Sequence, residues 1–155
     1  MKNNYIDIYN KLVDLTRNKD LYKNFLKQDT FSDRLIYFLL HFAFFLKVFK
    51  NNENKIILQE IYDYIFRQLE LSIREIGYGD QSINKKMKDY LNLFYGMIDK
   101  INDWEKQSME SKEAILSSFL DKSADVAYLA SYFEKYRLDL LNNTFNSYIK
   151  GVIKT

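Results

Sequence analysis

The stretch Leu35–Phe49 limits the possible folds of this chain more than any other. Only Tyr37 and His41 carry a polar tip before Lys47. A helix that is apolar around its whole circumference has no face for water, so it must be surrounded by other elements. Fifteen residues rise about 22 Å, short of the roughly 30 Å of hydrocarbon that a bilayer span crosses. The run therefore predicts a buried central helix. A segment dipping into a membrane and an exposed partner-binding face are the alternatives. His41 is the chain's single histidine. With no second histidine and no thiol to complete a site, it reads as a core histidine holding one backbone hydrogen bond.

The rest of the chain supplies the surroundings. Proline is absent and glycine occurs only as Gly77, Gly79, Gly96 and Gly151, so long helices with few sharp turns are expected. Apolar residues from Tyr5 to Leu15 recur at helical spacing, and Leu21, Tyr22, Phe25 and Leu26 suggest a short second helix. Ser32 or Asp33 is placed to cap the start of the central helix. After a polar connection at Asn51–Lys55, the series Ile57, Ile61, Ile65, Leu69, Ile73 and Ile76 forms one stripe, while Asp63, Arg67, Glu70 and Arg74 form a possible charge ladder. Gly77-Tyr78-Gly79-Asp80 ends that helix, with Asp80 or Ser82 as cap of the next. The next helix carries Ile83, Met87, Tyr90, Phe94, Met97, Ile101 and Trp104 and should pair antiparallel with its predecessor. Gly96 inside it implies close approach of another helix. Lys106–Glu113 reads as the longest connection and a mobile loop. Two further helices follow, Ala114–Leu120 and Ala124–Leu141, the second with Val126, Leu129, Ala130, Phe133, Leu138 and Leu141 inward and ended by Asn142-Asn143. The tail's Phe145, Tyr148, Ile149, Val152 and Ile153 suit either a docked turn or a frayed end. The expectation is an all-α, single compact domain over 1–155, with six to eight helices around a buried central apolar helix.

Chemistry is sparse. The chain has no cysteine, which removes thiol nucleophiles, cysteine-bound zinc and disulfides and points to a reducing, cytosol-like compartment. Gly77-Tyr78-Gly79 lacks the third glycine and preceding strand of a dinucleotide fingerprint. No histidine pair sits at metal spacing, so neither a metal, a cofactor nor an enzyme is expected. A formal charge of +2 is too small for a general nucleic-acid binder. Any electrostatic function must be local. Lys85, Lys86 and Lys88 fall in the first turns of a helix, where the macrodipole disfavours cations. With Arg74 arriving from the preceding helix they would form an anion-receptive corner. Surface lysines placed there by chance in a lysine-rich chain are the plain alternative.

These residues also carry a family likeness. Arg74-Glu75-Ile76-Gly77-Tyr78-Gly79-Asp80, then Lys85-Lys86-Met87-Lys88 and Phe94-Tyr95-Gly96, resembles the signature of the ubiquinol-cytochrome c chaperone family. That signature runs Leu-Arg-Glu-Met-Gly-Val-Gly-Asp, then basic residues, then Phe-Tyr-Gly-Arg. Leu21-Tyr22, Asp29-Thr30, Arg34 and Leu40-His41 fit it as well, and the likeness is firm from Tyr9 to Trp104. Ile73, Ile76, Tyr78 and Glu70 depart mildly, and Met97 stands where the family has arginine. The resemblance implies a non-enzymatic assembly factor for the cytochrome bc1 complex that engages newly made cytochrome b. It places Arg74, Glu75, Gly77, Gly79, Asp80, Lys85, Lys86 and Lys88 at a partner surface. Implied partners are the ribosome near its tunnel exit, a small partner subunit and anionic membrane, with no DNA. The implied location is cytoplasmic, peripheral to the inner membrane, or the matrix side in mitochondria. A generic peripheral membrane or RNA-binding module using the same patch is the competing reading.

Overall fold

Leu39, Leu40, Phe42, Ala43, Phe44 and Phe45 are six residues of one helix with no exposed surface, pointing in every radial direction. The helix is α2 (Phe31–Phe49) in a computed structural model that describes residues 5–23, 31–77 and 79–148. The other helices are α1 (Tyr5–Thr16), α3 (Lys55–Glu75), α4 (Asp80–Ile101), α5 (Met109–Ser117) and α6 (Val126–Leu141), with single 3₁₀ turns at Lys19–Tyr22 and Trp104–Lys106. No strand occurs among the described residues. The fold is all-α, built around α2.

Each side of α2 meets a different neighbour through aromatic rings. Phe38 lies 5.5 Å from Tyr9 of α1, Phe42 stacks on Phe94 of α4 at 5.4 Å, and Phe44 stacks on Phe133 of α6 at 5.3 Å. Phe49 sits 5.4 Å from Phe145, which follows α6 in a helical turn at 145–148. Such ring pairs add direction to burial, so they fix how the surrounding helices are rotated about α2. The tail is docked as far as Tyr148; Ile149, Val152 and Ile153 lie outside the described residues.

His41 is fully buried and ties α2 to α6. Its Nδ1–H donates to the Tyr37 carbonyl at 2.7 Å, so Nε2 is the acceptor for the Tyr132 hydroxyl, also at 2.7 Å. Burial pushes its pKa from 6.5 down to about 4, holding the ring neutral. The histidine makes one more hydrogen bond than expected.

Several sequence expectations change. Ser32 and Asp33 lie inside the first turn of α2, not at its cap. The second helix is seen as the short 3₁₀ turn; Phe25, Leu26 and Thr30 lie outside the described residues. The segment Lys106–Glu113 is no long loop. Ser108 caps α5 by accepting from Ser111 N at 3.1 Å, and the helix runs through the polar stretch. A Cβ built on Gly96 meets nothing within 4 Å, so no helix approaches closely there. Ile57 and Ile76 in the α3 stripe, and Leu138 and Leu141 of α6, are exposed; Leu58, Phe66 and Leu140 take the inward places. In the charge ladder Glu70 pairs with Arg74 at 3.3 Å, while Asp63 accepts from Gln59 at 3.0 Å.

Candidate functional site

The α3–α4 hairpin forms the scaffold for two surface features, one at each end. Its legs run antiparallel: Phe66 packs on Phe94 at 5.2 Å, and the Tyr62 and Tyr95 hydroxyls hydrogen-bond at 2.7 Å. At the hinge, Gly77 has φ 105°, a left-handed conformation that side chains resist. Its N–H donates to the Arg74 carbonyl at 3.0 Å and closes α3. Gly79 is the N-cap of α4, and no side chain caps it. Asp80 does not cap the helix as expected; it accepts from Arg74 Nη1 at 2.8 Å and ties the two legs together. Glu70 takes the other arm of the guanidinium, and Asp80 and Glu70 together hold the Arg74 pKa above its usual value.

The hinge is thus charge-balanced. Arg74, Lys85, Lys86 and Lys88 share it with Glu70, Glu75, Asp80 and Asp89, and Arg74 is already engaged. Lys85 and Lys88 lie one turn apart on the exposed side of α4, opposite Ile83 and Phe94, whereas Lys86 is half-buried on the flank. Glu75, Gly77 and Gly79 are exposed beside them, and Tyr78 lies outside the described residues. The predicted corner therefore reduces to two outward amines at the positive end of the α4 dipole.

The opposite end of the hairpin holds a feature the sequence did not suggest. A cavity of about 610 Å³ opens between the end of α2, the start of α3 and the end of α4. Leu46, Leu58, Tyr62 and Ile98 form its apolar floor, and Lys47, Lys50, Lys55 and four amide side chains surround it. No carboxylate or histidine lines it. Lys47 is committed, donating to the Asn102 carbonyl and to Glu105, each at 2.8 Å, and this hydrogen bond holds the Glu105 carboxyl below its usual pKa. Lys50 and Lys55 remain free among the described residues. Their signal in the sequence was the repetition of lysine across the polar connection.

A second feature missed by sequence is an ionic clasp between α5 and α6. Glu134 accepts from Trp104 Nε1 at 2.8 Å, from Arg137 at 2.8 and 3.2 Å, and from Lys112 at 3.4 Å. The Arg137 contact, helped by Trp104 and Lys112, pulls the Glu134 pKa down to about 2. The Lys112 ammonium also sits 5.4 Å over the Trp104 ring. Every acceptor atom of the carboxylate is used. That suits a strut better than a proton shuttle. No group of three or more histidines, cysteines or carboxylates is placed to hold a metal among the described residues. No helix there is long and apolar enough to cross a membrane.

A model of the family described as ubiquinol-cytochrome C chaperone matches residues 23–140. The chain belongs to that family. It is also similar to a crystal structure titled as the Cbp3 homolog from Brucella abortus. That match has a TM-score of 0.75 and 25% identity, covering 95% of this chain and 85% of that one. No curated protein matches the sequence. The family match spans α2 to α6 almost completely, so it contains both ends of the hairpin. The hinge residues Arg74, Glu75, Gly77, Gly79 and Asp80 and all the residues lining the groove lie inside the matched range.

Proposed function

We propose that this protein, a chaperone for assembly of the cytochrome bc1 complex, acts by holding newly made cytochrome b in an unassembled, protected form. The observation that carries this reading is the groove at the far end of the α3–α4 hairpin: open, apolar-floored and lined by no carboxylate or histidine, in a chain of this family. Such a surface binds and releases a segment without altering it. Apolar contact in a half-open trough is reversible, since its strength scales with the modest area covered. The hinge serves as a second contact. There Arg74, with Asp80 and Glu70, sets the angle between α3 and α4, Glu75, Gly77 and Gly79 shape the turn, and Lys85, Lys88 and the flanking Lys86 meet an anionic surface. Ribosomal RNA backbone or anionic lipid supplies such a surface, and a small partner subunit would dock without competing for the groove.

The reading is tested by tagging the chain in cells that make bc1 complex and measuring cytochrome b that co-purifies with it. Ile98→Asp, which places a charge on the groove floor, should lower co-purified cytochrome b and mature bc1 complex. Lys85→Glu with Lys88→Glu should lower bc1 complex while shifting the thermal midpoint by no more than about 2 °C, because exposed charges contribute little to stability. Normal cytochrome b recovery and normal bc1 levels in both variants would refute the proposal. Binding of the wild-type chain to RNA or anionic vesicles without any cytochrome b would favour the generic module.

A further inference from the structure

The groove is not merely apolar; its rim has a sign. Lys50 and Lys55 border the floor formed by Leu46, Leu58, Tyr62 and Ile98, and neither amine has a partner among the described residues. Lys47, the third cation, is neutralised by Glu105. An occupant with Lys or Arg flanking its apolar part would bring like charges together. One with Asp or Glu in that place would complete two ion pairs beside a low-dielectric floor, where they are screened less than in open water.

Length selects the kind of occupant. From Lys55 to Tyr62 the trough follows α3 for about 10 Å. This is shorter than the roughly 15 Å of one leaflet of hydrocarbon. It equals about two turns of a docked helix. The volume, about 610 Å³, lies within the range of sites that enclose small ligands or a few side chains. Beside it Tyr95, whose hydroxyl meets that of Tyr62 at 2.7 Å, is 53% exposed and extends the apolar surface past the rim.

We propose that the groove binds a short helical peptide segment whose apolar face is followed by acidic side chains, with Lys50 and Lys55 reading the carboxylates. The inference rests on the chaperone reading and sharpens it: the part of the client held here is an apolar stretch with an acidic flank, and stretches with basic flanks are rejected. Membrane-protein loops on the cytoplasmic side are rich in Lys and Arg. A lysine rim therefore discriminates among segments that an apolar floor alone would treat alike.

The test uses the full chain and two labelled twelve-residue peptides that share one Leu/Ile face, one ending in Asp-Glu-Asp and the other in Lys-Lys-Lys, read by fluorescence anisotropy. The acidic peptide should bind at least about tenfold more tightly than the basic one at low salt, and the difference should shrink as salt rises. Lys50→Glu with Lys55→Glu should reverse the order, a gain that an unfolded variant cannot produce. Equal binding of both peptides, or no binding of either, overturns the inference. So does a response limited to phosphatidylglycerol vesicles, which would make lipid the occupant. If peptide binding fails yet the double variant still lowers bc1 complex in cells, this inference falls and the chaperone reading stands. If the peptide order reverses as expected while bc1 complex is undiminished, the specificity stands and the use of the groove in assembly falls.

Discussion

Glu134→Ala removes the centre of the clasp that joins α5 and α6, and the structure gives the cost. The substitution leaves the Trp104 indole N–H, previously bonded at 2.8 Å, the Lys112 ammonium, whose side chain is 10% exposed, and the Arg137 guanidinium, whose side chain is 12% exposed, without their shared acceptor. A buried donor left unsatisfied costs about 1–3 kcal/mol, and breaking a buried ion pair about 3–5 kcal/mol. Glu134 itself is 24% exposed, so water reaches the vacated site and reduces both penalties. The expected loss is about 3 kcal/mol. For a chain of this size that lowers the thermal midpoint by about 6–12 °C. Glu134→Gln keeps an acceptor for Trp104 and should cost about half as much. Combining it with Lys112→Met removes one of the two stranded cations, leaving Arg137, and should cost no more than Glu134→Gln alone. The assay is urea and thermal unfolding of the three variants and of Lys112→Met, analysed as a double-mutant cycle. A loss below about 1 kcal/mol for Glu134→Ala, or no coupling between positions 112 and 134, would refute the reasoning.

Two other perturbations follow from the core and the hairpin. His41 is neutral in the fold with a pKa of about 4 against 6.5 unfolded, so the unfolded chain binds the extra proton between those values. Its contribution is intact above pH 6.5 and lost as pH falls to 4, about 3 kcal/mol in all. Unfolding midpoints of wild type and His41→Phe should converge across that window. Below it, the Glu134 contribution, present above pH 4.5, declines toward pH 2. The two glycines of the hairpin should respond in opposite senses. Gly96→Ala should stabilise by up to about 1 kcal/mol because the space is open and alanine favours helix. Gly77→Ala should destabilise by about 1–2 kcal/mol because φ is 105°. Both are read by chemical unfolding, and a destabilised Gly96→Ala variant would show that the glycine serves a close contact after all.

Much of the fold was legible because it rests on local pattern. The central helix was readable from Leu35–Phe49, since a helix apolar on all sides and too short to span a bilayer is best accommodated by burial. The hinge was readable from Gly77, whose conformation is a property of the residue itself. Gly96 misled for the opposite reason: a helical glycine signals close approach only if a neighbour comes near, and none does. The polar stretch around α5 misled because Lys112 reads as a loop or surface residue until Glu134, 22 positions later, is placed against it. The hinge residues were read as a basic corner, and their charge balance was not legible, because Arg74 closes on Asp80 only once the turn has brought the legs together.

By itself the sequence determined that this chain is helical, where its most apolar helix is buried and where the hairpin turns. Each of these depends on spacing within a few turns of backbone. Only the tertiary structure decided that the lysines near Asn51 border an apolar trough and that Lys112 is buried beside Trp104. It also decided that Arg74 at the hinge is held between Glu70 and Asp80. Those outcomes depend on which helix ends coincide in space. The periodicity of a helix specifies its inner face but not the neighbour that covers it, so the sign and shape of the surface between elements is set when they pack.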